Sequence, residues 1–171
     1  MIATLCYLEK DNKYLMLYRN KKEIDINKGK WIGVGGKMEK GETPEQCLIR
    51  EVWEETGYTL NNYEYRGIVI FNYNEDDPLF MYVYTSSNFS GIEKECNEGD
   101  LKWIPKDEIL DLKLWEGDKI FLKLLFENSP FFYLTLNYEN DNVVSSKLEF
   151  KEKYSCFEVF VPENYVEKIV E

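Results

Sequence analysis

The run Ile2–Glu9 alternates around apolar Ile2, Leu5 and Leu8, the period of a strand. Asp11-Asn12-Lys13 reads as a turn, and Tyr14–Arg19 as a second strand, so the chain is expected to open with a hairpin. A polar stretch, Asn20–Lys30, precedes a short strand at Trp31–Val34. Thr43, Pro44 and Gln46 carry the signature of a capped helix start, and Gly57 suits its end, which predicts a helix over Pro44–Thr56. Aromatic and β-branched runs at Tyr65–Tyr73 and Leu79–Ser86 predict two strands joined by Asn74–Pro78. Leu101–Ile104 is a further short strand, and Pro105 starts a helical turn through Leu110. Asp118–Glu127 is helical, with Ile120, Phe121, Leu124 and Leu125 on its apolar side. A late hairpin is expected from Phe131–Tyr138 and Val143–Lys153 around Asn140-Asp141-Asn142. Cys156–Val161 reads as a strand and Pro162–Val170 as a short terminal helix. Strands before, between and after a few helices suggest a mixed-sheet α/β sandwich.

With 171 residues and no linker, repeat or low-complexity tract, one domain is expected, with residues 153–171 as a C-terminal extension of undefined structure. No apolar run is long enough to span a bilayer and no signal-peptide pattern is present, so a cytoplasmic protein without membrane association is expected. A net charge of −11 disfavours binding to a nucleic acid polymer, while a small anionic substrate remains open if bound cations invert the local field. The absence of histidine excludes imidazole bases, Ser-His-Asp triads and histidine metal sites. Cys6, Cys47, Cys96 and Cys156 contain no C-x-x-C pair, and reduced thiols are expected. Arg19, Lys21, Lys22, Lys28 and Lys30 make the loop a local basic exception, either a solvated face or a phosphate-attracting rim.

The helix over Pro44–Thr56 holds the chemistry. Each residue advances about 100° around a helix, so Glu51, Glu54 and Glu55 share an arc of about 100°. Leu48, Ile49, Val52 and Trp53 are expected to face a core. Like charges this close cost stability unless arginine or a cation neutralises them, and Arg50 stands four residues before Glu54. Hard divalent cations take carboxylate oxygens and bridge them to phosphates. A solvated acidic helix face is the competing reading. Gly33, Gly35 and Gly36, just before the helix, let the backbone turn tightly against a ligand.

The stretch Gly36–Tyr58 resembles the signature of the Nudix hydrolases. Gly36, Glu42, Arg50, Glu51, Val52, Glu54, Glu55 and Gly57 fall on its fixed positions, and Tyr58 departs where an aliphatic residue is usual. The resemblance implies the Nudix α/β/α sandwich, with a mixed β-sheet between helices, and hydrolysis of a nucleoside diphosphate linked to another group. It implies magnesium, with manganese as a substitute, held by Glu51, Glu54, Glu55 and the Gly35 carbonyl. A glutamate would act as base, and Glu42 and Arg50 would tie loop to helix by a salt bridge.

Outside that stretch, Asp25–Lys37, Asn97–Trp103 and Leu114–Asp118 resemble the MutT-related branch that clears oxidised purine nucleotides, and the likeness extends to about Glu152. By that resemblance Glu98 is a distal acid beside the metals, catalytic or ligating, and Trp115, Asp118, Phe71 and Thr4 are pocket positions for the base. Trp115 and Phe71 read equally as core residues, Asp118 as a helix N-cap, and Lys37 as either a phosphate contact or a solvated lysine. Ile32 replaces an asparagine of the mammalian relatives and Gly117 a second pocket acid. The expected reaction is hydrolysis of a nucleoside triphosphate, such as 8-oxo-dGTP, to monophosphate and pyrophosphate, by a monomer or homodimer. A dinucleoside polyphosphate hydrolase is an alternative, since Tyr73 lies where some of those enzymes carry a tyrosine. ADP-ribose hydrolysis is disfavoured, because no proline follows at the usual spacing. A non-catalytic nucleotide sensor is the other alternative, although such modules lose metal glutamates and none is lost here.

Overall fold

The hairpin at the start of the chain organises everything after it. In the computed structural model, which describes residues 1–151, β1 (Ile2–Lys10) and β2 (Lys13–Arg19) pair only next to their turn, Glu9 with Tyr14 and Lys10 with Lys13. Beyond that point they splay. β1 lies parallel to β5 (Leu79–Gly91), while β2 pairs along its whole length with β6 (Gly99–Pro105). Into the wedge comes β3 (Trp31–Ile32), which pairs with β2, followed by Val34 and Lys37, which bridge to Cys6 and Ala3 of β1. The wedge thereby presses the glycine turn against β1.

The sheet continues from β5 through β4 (Tyr58–Tyr73), β7 (Phe132–Glu139) and β8 (Asn142–Phe150), giving the order β3-β2-β1-β5-β4-β7-β8 with β6 on β2. β1–β5 and β4–β7 are parallel and the other pairs antiparallel, so the sheet is mixed. One face packs against α1 (Pro44–Thr56): Cys6, Leu8, Leu15, Leu17 and Tyr84 meet Leu48 and Val52. The other packs against α3 (Glu116–Phe126): Leu5, Tyr7, Tyr14, Met16 and Val83 meet Phe121, Leu122 and Leu125. A single turn, α2 (Lys106–Ile109), adds Ile109 to the second core. The α/β/α sandwich is therefore formed as expected.

Several sequence expectations change. β1 is buried on both faces from Ala3 to Leu8, because helices cover both sides, and simple alternation does not describe it. β4 begins directly after the helix cap at Tyr58, and its polar first half pairs with β5 through register shifts between Leu60 and Gly67. Ile49 and Trp53 do not face a core. They are exposed, and Trp53 carries the ammonium of Lys94 4.1 Å from its ring centroid. α3 starts two residues early, with Trp115 as its N-cap residue, so Asp118 lies in the first turn and caps nothing. Cys6, Cys47 and Cys96 are free and buried. No helix among the described residues is long and apolar enough to cross a membrane. The strand and helix expected at Cys156–Val161 and Pro162–Val170, and the end of Val143–Lys153, lie outside the described residues.

Candidate active site

Helix α1 starts where its sequence directs it. Thr43 accepts from the Gln46 backbone N–H at 3.2 Å and the Gln46 side chain accepts from the Thr43 N–H at 2.9 Å, a reciprocal cap. The glycine turn lies alongside. Gly35 has φ 149, and a Cβ there would stand 2.1 Å from the Thr4 carbonyl oxygen. At Gly36 a Cβ would stand 2.5 Å from the Glu51 carboxylate, so the missing side chain is the space Glu51 occupies. The Gly35 N–H donates to Glu55 Oε2 at 2.8 Å. Glycine turn and acidic helix are thus one unit, with Glu51 and Glu55 laid against the turn.

Two arginines divide the carboxylates. Arg50 donates to both oxygens of Glu42, at 2.6 and 2.9 Å, and to Glu51 and Glu54 at 2.6 and 3.2 Å. It also donates to the Lys37 carbonyl at 3.2 Å, closing the loop on the helix. Arg50 and the backbone N–H of Glu39 hold the Glu42 carboxyl down at about 2. Arg19, at the end of β2, is 8% exposed; it donates to Asp25 at 2.7 Å, ion-pairs with Glu98 and stands 3.8 Å from Glu55. Burial works against its charge, but Asp25, Glu98 and Glu55 outweigh it. Burial likewise opposes the charge of Glu98, yet Lys22 and Arg19 hold its carboxyl below the ordinary range. Glu55 is pushed the other way, to about 8, first by burial and then by Glu98 and Glu51 against the pull of the Gly35 N–H. Burial also raises Glu51; Arg50 opposes it and Glu54 and Glu98 add to it. Glu54 is the solvent-side member, with 51% of its side chain exposed.

Whether this set suits a divalent cation depends on donor type and charge. Glu51, Glu54, Glu55 and Glu98 offer only carboxylate oxygens, which hard cations prefer. The upward shifts of Glu51 and Glu55 come first from burial, with neighbouring carboxylates adding to them, so a cation among these oxygens would favour the charged form of both. No three such groups among the described residues already converge as a cation cage. The donor set fits the group, with the arginines holding the carboxylates meanwhile.

On the other face of the sheet a second cluster forms. Trp115 meets Phe71, Tyr73 and Tyr138 edge-to-face, with centroids 5.7, 6.2 and 5.4 Å apart. Its indole N–H donates to Asn27 at 2.9 Å. Asp118, 6% exposed, has its carboxyl pushed up by burial to about 7, with Lys30 pulling it down. Phe71, Trp115 and Asp118 are brought together. Thr4 is not: it is buried on the α1 face, its hydroxyl 3.5 Å from the Cys47 sulfur. Lys37 is exposed, and its backbone carbonyl accepts from Arg50 at 3.2 Å. At Gly117 a Cβ would lie 2.4 Å from Leu136 and 2.8 Å from the Tyr138 hydroxyl, which accepts from the Gly117 N–H at 2.8 Å. Tyr138 occupies the ground where a second acid would project.

The sequence points to neither Asn27 nor Tyr138, and it marks Arg19 and Lys30 only as members of a basic loop. Three of the loop's basic residues pair with acids: Lys21 with Glu95, Lys22 with Glu98 and Lys30 with Asp141. Tyr138 follows Phe132, Leu134 and Leu136 at the strand period and so faces the α3 core. The clusters are joined by a hydrogen-bonded relay, because Asp25 accepts from Arg19 at 2.7 Å and from the Asn27 N–H at 2.9 Å, and Asn27 accepts from Trp115.

Comparison with known proteins places the fold in a family. The family model of the NUDIX domain matches residues 1–125. An uncharacterized Nudix hydrolase of Bacillus subtilis is 29% identical over 141 residues, 80% of this chain and 85% of that protein. The oxidized purine nucleoside triphosphate hydrolase of Danio rerio is 29% identical over 129 residues, 75% of this chain and 83% of the relative. Among solved structures, a mutator MutT protein from Bacillus halodurans superposes with a TM-score of 0.78 at 30% identity, covering 86% of this chain and 97% of its own.

Proposed function

This chain belongs to the Nudix family, and from that premise we propose that it is a divalent-cation-dependent pyrophosphohydrolase of nucleoside triphosphates that favours oxidised purines such as 8-oxo-dGTP. Nudix enzymes act on small nucleotide substrates and generally use divalent metals. The observation that supports the narrower reading is the relay from Glu55 and Glu98 through Arg19, Asp25 and Asn27 to Trp115, which links the carboxylate cluster to the aromatic one. Similarity to a protein named for oxidised purine triphosphates supports the choice of base.

In this reading Glu51, Glu54, Glu55 and Glu98 hold the cation, with the Gly35 carbonyl as a further donor. A cation bound there would supply Lewis acidity to the phosphates and make a water nucleophilic at neutral pH. Glu54, on the solvent side, is the carboxylate best placed to take a proton from that water. Arg50 orients Glu51 and Glu54, while Glu42 fixes Arg50. One water adds across the anhydride between the α and β phosphates, giving monophosphate and pyrophosphate. The base lies against Phe71 and Trp115, and Asp118 meets its hydrogen-bonding edge. With a pKa near 7, Asp118 can present either a donor or an acceptor there. A site matched to one such pattern rejects the wrong one strongly, which is how a change at C8 becomes a difference in rate.

The test is a screen of normal and oxidised nucleoside triphosphates with magnesium or manganese, scored by pyrophosphate release and kcat/KM. Glu54→Gln and Glu55→Gln are expected to lose most turnover while remaining folded. Full activity in either variant would remove the metal assignment, and absence of pyrophosphate from every nucleotide would remove the reaction.

A further inference from the structure

Lys30, the last residue before β3, places its ammonium 3.9 Å from the centroid of the Trp115 ring. Its side chain is 12% exposed, unusual for a residue type that seldom leaves water. Asp141, in the turn between β7 and β8, is its ion-pair partner among the described residues, at 3.9 Å and beyond hydrogen-bonding distance. The lysine is therefore held by the indole face, by Asp141 and by the field of Asp118.

The remaining surroundings of the indole are fixed. Phe71 and Tyr73 come from β4 and Tyr138 from β7, all inside the sheet, and the indole N–H is engaged by Asn27. With these neighbours and the lysine in place the ring is 5% exposed. No purine can lie against it in this arrangement. Of the groups covering it, Lys30 alone sits on a flexible side chain at the end of an irregular loop.

We propose that Lys30 is a plug on the base site: it covers the Trp115 face in the free protein, and an incoming purine displaces it. This rests on the reading of Phe71, Trp115 and Asp118 as the base site. The plug sets the strength of base binding, because every base must first remove a cation from an aromatic face. Such a contact shifts an equilibrium by a factor of roughly 2 to 30. It also keeps water off Trp115 and Asp118 between turnovers, and it is a part of the site that the loop's composition alone does not identify.

The experiment compares the full chain with Lys30→Ala and Lys30→Arg, each carrying 5-fluorotryptophan, with the Trp115 resonance assigned through Trp115→Phe. In nucleotide-free protein the Trp115 resonance of Lys30→Ala should become sensitive to solvent, while Lys30→Arg, which preserves the cation on the ring, should match the parent. For the best purine triphosphate, assayed at about pH 8.5 to keep Asp118 ionised, Lys30→Ala should show a KM lower by roughly 2- to 30-fold. A KM that rises would make Lys30 a substrate contact and overturn the plug. An unchanged KM with a shielded Trp115 would overturn it as well. If the parent protein hydrolyses no nucleotide, the catalytic reading fails by itself. The plug is then judged on the fluorine spectra: opening of Trp115 in Lys30→Ala supports it, and continued shielding rejects it.

Discussion

Arg19 donates through Nε to Asp25 at 2.7 Å while its other edge faces Glu98 and Glu55, so one buried guanidinium touches both the acidic cluster and the loop that holds Trp115. Asp25→Ala removes the acceptor that orders this loop but leaves every proposed cation ligand in place. Hydrogen bonds to charged groups contribute more than neutral ones, so KM for a purine triphosphate should rise roughly tenfold. Steady-state kinetics check this. A fall in kcat with KM unchanged would mean that the relay serves the carboxylates and not the base.

Gly35 and Gly36 should respond differently to the same methyl group. At Gly36 the added Cβ meets the end of the Glu51 side chain, which can swing away. Gly36→Ala should therefore fold well and lose at least about tenfold in turnover, because a proposed ligand is displaced. At Gly35 the Cβ meets the backbone carbonyl of Thr4, which cannot yield, and φ is 149. Gly35→Ala should cost about 2 kcal/mol or more of stability. Urea unfolding alongside pyrophosphate release separates the two outcomes.

Local rules account for one part of this site and not for another. Helix α1, its Thr43 cap and its Gly57 terminus follow from neighbouring residues, and the structure reproduces Pro44–Thr56 to the residue. The Glu42–Arg50 pair is implied by the resemblance to the family and is present. The role of Arg19 is hidden in the sequence because it depends on β2, the Asp25 loop and Glu98 arriving at one place, although Arg19 and Glu98 are 79 positions apart. Ile49 and Trp53 suggest core positions because they are apolar, yet α1 meets the sheet along the narrower stripe of Leu48 and Val52. The polar first half of β4 is unreadable for a similar reason: its pairing with β5 is set by the partner strand.

Asp118 ties stability to pH. Its folded pKa, about 7, lies above the ordinary value of 3.8, chiefly through burial. A carboxyl raised in the folded state contributes stability that is complete below the unfolded value and is lost as pH rises through the folded value. Asp118→Asn removes that dependence. The variant and the parent should differ little in this respect near pH 4. From there to about pH 7 the variant should gain relative to the parent, by an amount on the order of a few kcal/mol. Thermal unfolding across this range measures it, and a difference that stays flat would place Asp118 in contact with water. The same substitution should blunt discrimination between normal and oxidised purines.

Gly117 decides whether a second acid can be restored beside Asp118. A Cβ at this position would stand 2.4 Å from Leu136 and 2.8 Å from the Tyr138 hydroxyl, both on the core face of β7. Gly117→Asp would bring a charge into that contact and break the hydrogen bond from the Gly117 N–H to Tyr138. Overpacking alone costs about 1 to 3 kcal/mol, and an unpaired buried carboxylate adds to it. The single substitution should therefore destabilise the protein without improving recognition of an oxidised purine. Pairing it with Leu136→Ala opens the nearest contact and should recover part of the lost stability, read as a higher urea midpoint for the double variant than for Gly117→Asp. If Gly117→Asp alone is as stable as the parent, the sheet yields at Tyr138 more readily than that residue's 2% exposure implies.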